Sequence, residues 1–142
     1  MFQRNRVRGF SLIEILLVLA IIGILSGIAI PSYLGQRRRA RVIGDAISNA
    51  KVLQMALESR KAENGVYGAV STSYDWKADG TATTGPALIP TFNPSGSSKM
   101  NYSVAVNATG IAYTLTVIDP SISSTTVAYQ TDQSGAELAR LN

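Results

Sequence analysis

Residues 8–31 read RGFSLIEILLVLAIIGILSGIAIP, and this stretch decides the architecture of the chain. From Ile15 to Ile30 it carries no charge, and from Phe10 to Ile30 it contains 21 residues with a single acid, Glu14. As a helix rising 1.5 Å per residue such a run is about 30 Å long, enough to cross the hydrocarbon core of a bilayer. Arg4, Arg6 and Arg8 precede it; Pro31 and then Arg37, Arg38, Arg39 and Arg41 follow it. A carboxylate inside such a segment is expensive and marks a functional position that needs a partner.

Three readings account for an apolar run near the amino terminus. In a secretory signal peptide the three arginines form the basic region and Gly27-Ile28-Ala29 supplies a small-residue cut before Ile30. Such signals have apolar regions of about 7–15 residues, shorter than this one, and do not enclose an acid. A plain single-pass anchor fits the length and composition. It leaves Glu14 without a purpose, because a charge at a helix centre costs on the order of 3 kcal/mol on insertion scales. The third reading gives Glu14 a partner.

Gly9, Phe10 and Glu14, set in register between a short basic leader and a long apolar run, with Pro31 beyond it, resemble the class III signal of type IV pilins and type II secretion pseudopilins. The resemblance extends over residues 8 to about 65. It implies a leader of residues 1–9, a hydrophobic transmembrane and assembly helix over 10–31, and a pilin-like head over 32–142 that includes an amphipathic continuation of the helix. It implies that a prepilin peptidase cuts between Gly9 and Phe10 and that the new amino terminus of Phe10 is N-methylated. A homo-oligomeric helical filament, raised from the inner membrane by an assembly machinery, is the implied product, in the periplasm or outside the cell. The α-amino group freed at Phe10 has a reference pKa near 8 and is mostly cationic at neutral pH. In a staggered bundle the amine of one subunit can meet Glu14 of its neighbour and set the register. Two unit charges about 4 Å apart attract by roughly 4 kcal/mol at an effective dielectric of 20, before desolvation is subtracted. Charge counting by itself gives three arginines before the run against four after it, so the orientation with the leader in the cytoplasm is implied by the resemblance and not by the positive-inside rule.

The rest of the composition narrows the function. Removing residues 1–9 deletes three arginines and leaves ten basic against nine acidic side chains, so the chain does not read as a nucleic-acid binder. The absence of cysteine and histidine excludes disulfides, Ser-His and Cys-His nucleophile systems and imidazole metal sites within this chain. The acids are scattered and no glycine-rich phosphate loop follows a strand, so no catalytic constellation, metal site or cofactor is expected.

Beyond the apolar run the expected class is α+β, a long hydrophobic-to-amphipathic helix packed on a small antiparallel sheet. The helix is expected to pass Pro31, with Gly23 and Gly27 as helix-weakening positions that either permit close helix packing or let the segment deform. Val42, Ala46, Ala50, Leu53 and Leu57 fall on one helical face,. Asn64-Gly65 supplies a stop, and Asn64-Gly65-Val66-Tyr67 resembles a phrase found at this point in many pilins and pseudopilins. Residues 68–98, rich in Gly, Ser, Thr, Ala and Pro, read as a long surface connection in which Tyr74 and Trp76 either anchor to the core or meet another subunit. Period-two patterns at Met100–Val106 and Ile111–Val117 read as two strands joined at 107–110, with a third around Val127 and Tyr129. Asp119 and Asp132 are either turn caps or calcium ligands of the kind found in major secretion pseudopilins. Asn107-Ala108-Thr109 matches a glycosylation sequon. The four arginines at 37–41 are a solvated cluster, a contact for anionic lipid, or partners for acids of neighbouring subunits. Two further functions stand beside the major pilin: a pseudopilin or minor pilin of a secretion or competence machine, and a monomeric membrane-anchored binding module that recognises its ligand through the 68–98 segment.

Overall fold

A computed structural model describes residues 10–79, 84–94 and 99–141. The chain falls into two compact units, one ending at Arg37 and the other starting at Arg38. One element, helix α1 (Leu12–Asn64), belongs to both. It runs unbroken through Pro31, where the ring removes one intrahelical hydrogen bond. The second unit adds strand β1 (Ser73–Trp76), the short helix α2 (Gly85–Leu88), and strands β2 (Asn101–Val106), β3 (Tyr113–Ile118), β4 (Val127–Asp132) and β5 (Glu137–Arg140). The five strands form one antiparallel sheet in the order β1-β2-β3-β4-β5.

The second unit folds because two periodicities meet. On α1 the buried residues are Val42, Ala46, Asn49, Ala50, Leu53, Gln54 and Leu57, each three or four positions from another, as a single helical face requires. On the sheet the inward side chains alternate: Tyr102, Val104 and Val106 on β2, then Tyr113, Leu115 and Val117 on β3. Burying side chains such as Leu53, Leu57 and Leu115, each fully enclosed, contributes about 1.5–3 kcal/mol apiece relative to leaving them in water. Polar contacts also cross the interface: the Gln54 amide donates to the Asp132 carbonyl at 2.9 Å and to Thr131 Oγ1 at 3.4 Å.

The end of α1 explains the Asn64-Gly65-Val66-Tyr67 phrase. Gly65 takes φ +78°, which only glycine adopts cheaply, and its N–H donates to the Lys61 carbonyl at 2.8 Å, closing the last turn,. The chain reverses and Tyr67 plugs the helix end against the sheet. Its ring meets Tyr113 edge-on at 4.7 Å, its hydroxyl donates to Glu58 at 2.6 Å, and Lys61 lies 4.6 Å over its face.

Several expectations are corrected here. Residues 68–98 are not a bare surface connection, because β1 and α2 lie inside them and Trp76, Leu88, Ile89 and Phe92 join the core. Trp76 is only 4% exposed and stacks edge-on against Phe92, which in turn meets Tyr102. Tyr74 is half-buried, and its hydroxyl accepts the Ala69 N–H at 2.9 Å. A strand of four residues leaves too short an alternation to stand out among Gly, Ser and Thr. The 107–110 connection is longer than expected: β3 begins only at Tyr113, leaving Ile111 exposed. β5 has no counterpart among the expected strands, because an exposed edge strand with only Ala139 half-buried carries little hydrophobic period,. The third expected strand is β4, in which a register shift against β3 buries Ala128 as well as Tyr129,.

The buried phenols give the head an alkaline limit. Burial pushes Tyr102 and Tyr113 up to about 12, and burial followed by the hydrogen bond to Glu58 pushes Tyr67 higher still. Each group holds its proton more tightly folded than unfolded, so its contribution is fully present below about pH 10 and is lost as pH rises through the folded value. Tyrosinate absorbance of these residues is therefore expected to appear together with loss of the near-ultraviolet circular dichroism of the head, above about pH 10. Ionisation of all six tyrosines without any change in that signal would contradict it.

Candidate functional site: the exposed amino-terminal helix

Among its described residues the first unit has no core of its own. Its apolar window, with a mean hydropathy of 2.7, has none of its residues buried within the chain. Phe10 is 79% exposed, and the large aliphatic side chains from Leu12 through Ile30 all stand in the open. Exposed apolar surface on this scale requires a lipid, a neighbouring helix, or both.

Helix α1 starts at Leu12, which leaves Phe10 and Ser11 outside the helix. Glu14, the third helical residue, turns back so that the Ser11 N–H donates to its Oε2 at 2.9 Å, while the Glu14 N–H donates to the Ser11 carbonyl at 3.0 Å. This is the glutamate arm of a capping box, which satisfies a donor at the helix start and sets negative charge against the positive end of the helix dipole. The sequence reading looks for the partner of Glu14 in a neighbouring subunit, and the structure adds one within the same chain. The signal was present, since Ser11-Leu12-Ile13-Glu14 is a Ser-x-x-Glu phrase ahead of an apolar run,.

The other expected site residues divide. Gly9 lies outside the described residues. Phe10 and Glu14 are both exposed and one helical turn apart in sequence. A side chain at Gly23 or Gly27 would meet nothing within 4 Å, so packing inside the chain demands glycine at neither position. Pro31 is accommodated within α1.

Asp119 and Asp132 serve turns. Asp119 Oδ1 accepts from the Ser121 hydroxyl at 2.6 Å and the Ser121 N–H at 2.8 Å. Asp132 Oδ1 does the same with Ser134 and also accepts the Ala136 N–H at 3.2 Å. These donors, the Ser134 hydroxyl foremost, hold the Asp132 carboxyl below the usual carboxylate range. Among the described residues no three acids come together as a metal-binding group.

Residues 4–30 match the family model described as a prokaryotic N-terminal methylation motif. The chain is 30% identical over 92 residues to type II secretion system core protein G of Escherichia coli K12, covering 65% of this chain and 61% of that protein. It is 36% identical over 103 residues to a fimbrial protein of Pseudomonas aeruginosa, covering 72% of this chain and 62% of that protein. To the type IV major pilin PilA of Myxococcus xanthus it is 44% identical over 62 residues, 44% of this chain and 28% of that protein. The chain spans between half and just under two thirds of the length of the first curated relatives it matches. No solved structure matches it.

Proposed function

We propose that this chain, which belongs to the type IV pilin and type II secretion pseudopilin family, is the structural subunit of a helical filament. The observation that carries this reading is the wholly exposed apolar helix of the first unit, ahead of a folded head that has no use for it in its own core. Before assembly the segment 10–31 spans the inner membrane. A prepilin peptidase cuts between Gly9 and Phe10 and the Phe10 amine is methylated, which keeps its positive charge. The assembly machinery then moves the subunit from lipid to filament, where helices of neighbouring copies replace lipid around Leu12–Ile30. Glu14 of one subunit faces the Phe10 amine of another and fixes the axial stagger. Gly23, Gly27 and Pro31 form the deformable part of the helix during this transfer.

The split among the relatives supports a second reading, a pseudopilin with the same chemistry and a shorter periplasmic filament. Mechanically sheared cell surfaces separate the two. A major pilin is recovered in the sheared fraction, whereas a pseudopilin stays with the cell and its loss stops protein secretion.

The amino-terminal residue and intact mass of the protein from its native cells test the common premise. The expected result is a chain beginning at N-methylated Phe10. Recovery of a chain beginning at Met1 or Ile30 would sink the filament reading. Replacing Gly9 with leucine is expected to leave the full-length precursor in the membrane, because the peptidase must approach the backbone closely at that bond.

A further inference from the structure

Charge is distributed unevenly along the chain that remains after residue 9. Between residues 10 and 41 the charged side chains are Glu14, Arg37, Arg38, Arg39 and Arg41, a net charge of +3. Residues 42–142 hold six basic and eight acidic side chains, a net charge of −2. The cationic excess is thus confined to one short segment of α1 that follows the apolar run. All four arginines are exposed. Arg38 uses one N–H on the Ser121 hydroxyl at 3.2 Å and Arg39 has an interaction within the chain. Arg37 and Arg41 are one turn apart and share a helical face.

We infer that Arg37 and Arg41, assisted by Arg38, bind the phosphates of anionic lipid headgroups and hold the subunit in the bilayer until it is extracted. The inference rests on reading 10–31 as membrane-spanning. A run of 21 residues ending at Ile30 fills a hydrocarbon core,. Tyr33, 64% exposed, then falls where amphipathic aromatic rings settle at the membrane–water boundary. Arg37 follows one turn after Tyr33, within reach of the phosphate layer for a long side chain. Guanidinium groups suit this contact because their planar fork donates two parallel hydrogen bonds to phosphate oxygens. A neighbouring subunit's acidic head is the competing partner. In the membrane before assembly lipid phosphate is far more abundant at this level, and the weak head charge is spread over a hundred residues.

The test uses the processed chain, from Phe10 to Asn142, in neutral detergent micelles. It is titrated with short-chain phosphatidylglycerol or short-chain phosphatidylcholine, and bound lipid is counted by native mass spectrometry. Phosphatidylglycerol is expected to be retained and phosphatidylcholine lost. The Arg37→Gln/Arg41→Gln variant is expected to bind phosphatidylglycerol about 25-fold more weakly, roughly fivefold per arginine, and added salt should weaken wild-type binding. A Lys77→Gln/Lys99→Gln variant removes the same charge away from that segment and should retain the lipid. Equal losses in the two double variants would reduce the effect to net charge and overturn the inference. So would unchanged lipid binding in the arginine variant; if that variant also lost self-association without lipid, the arginines would be assigned to neighbouring heads.

Discussion

Replacing Glu14 with leucine is expected to leave the subunit in the membrane at wild-type level and to lower filament yield by about tenfold or more. Every 1.4 kcal/mol lost from a subunit contact raises the concentration needed for association about tenfold. The proposed pair between Glu14 and a neighbour's amine would be worth up to roughly 4 kcal/mol before desolvation, so even a modest net share is visible. The leucine variant also removes the acceptor for the Ser11 N–H, and a frayed helix start could by itself disturb packing. Glu14→Gln separates these effects. Its amide oxygen can still accept the Ser11 N–H, but it carries no charge to meet an ammonium. The expected result is that glutamine assembles as poorly as leucine. Normal filaments from the glutamine variant would assign Glu14 to capping alone and remove the register device from the proposal.

Enlarging Gly85 has the second-largest expected effect, on the stability of the head. A Cβ built on Gly85 would overlap the fused-ring atoms Cδ2, Cε2 and Cε3 of Trp76, so the backbone of α2 lies directly on the indole face. Trp76 cannot yield freely, since Phe92 packs edge-on against it at 5.4 Å. Overpacking of this kind typically costs about 1–3 kcal/mol, occasionally more. For a unit of about 100 residues, 1 kcal/mol shifts Tm by about 4–8 °C. Gly85→Val is therefore expected to lower Tm by about 10 °C or more. Trp76 is the sole tryptophan, so its fluorescence reports both the displacement and the melt. Gly44→Ala is the opposite case: it sits in the interior of α1, where a Cβ meets nothing within 4 Å. Its Tm should hold or rise, since alanine favours a helix interior by up to about 1 kcal/mol over glycine. Equal melting of Gly85→Val and wild type would show that the indole has room to move.

The apolar helix and the head differ in how they could be read before folding. Residues 10–41 make their statement locally. An apolar run, its length and one acid at a set distance from a glycine are properties of consecutive residues, and no folding partner within the chain alters them. The amphipathic face from Val42 to Leu57 and the alternation in β2 and β3 were legible for the same reason, because each buries one face against a large partner and the burial imprints a period on the sequence. Where burial is shared among short elements, that imprint is lost. Trp76 is buried because Gly85 and Phe92 reach it from separate segments and Tyr102 stands opposite it on β2, and no spacing along the chain announces that meeting. β5 is held mainly by backbone hydrogen bonds to β4, which any sequence can make. The sequence by itself thus determined that the chain has an apolar helix unsatisfied within its own fold and a head of helix on sheet. Only the tertiary structure decided that Glu14 caps its own helix, that the Gly- and Thr-rich middle segment closes the core, and that Asp119 and Asp132 serve turns, because each of these depends on side-chain orientation and on contacts that one-dimensional periodicity does not encode.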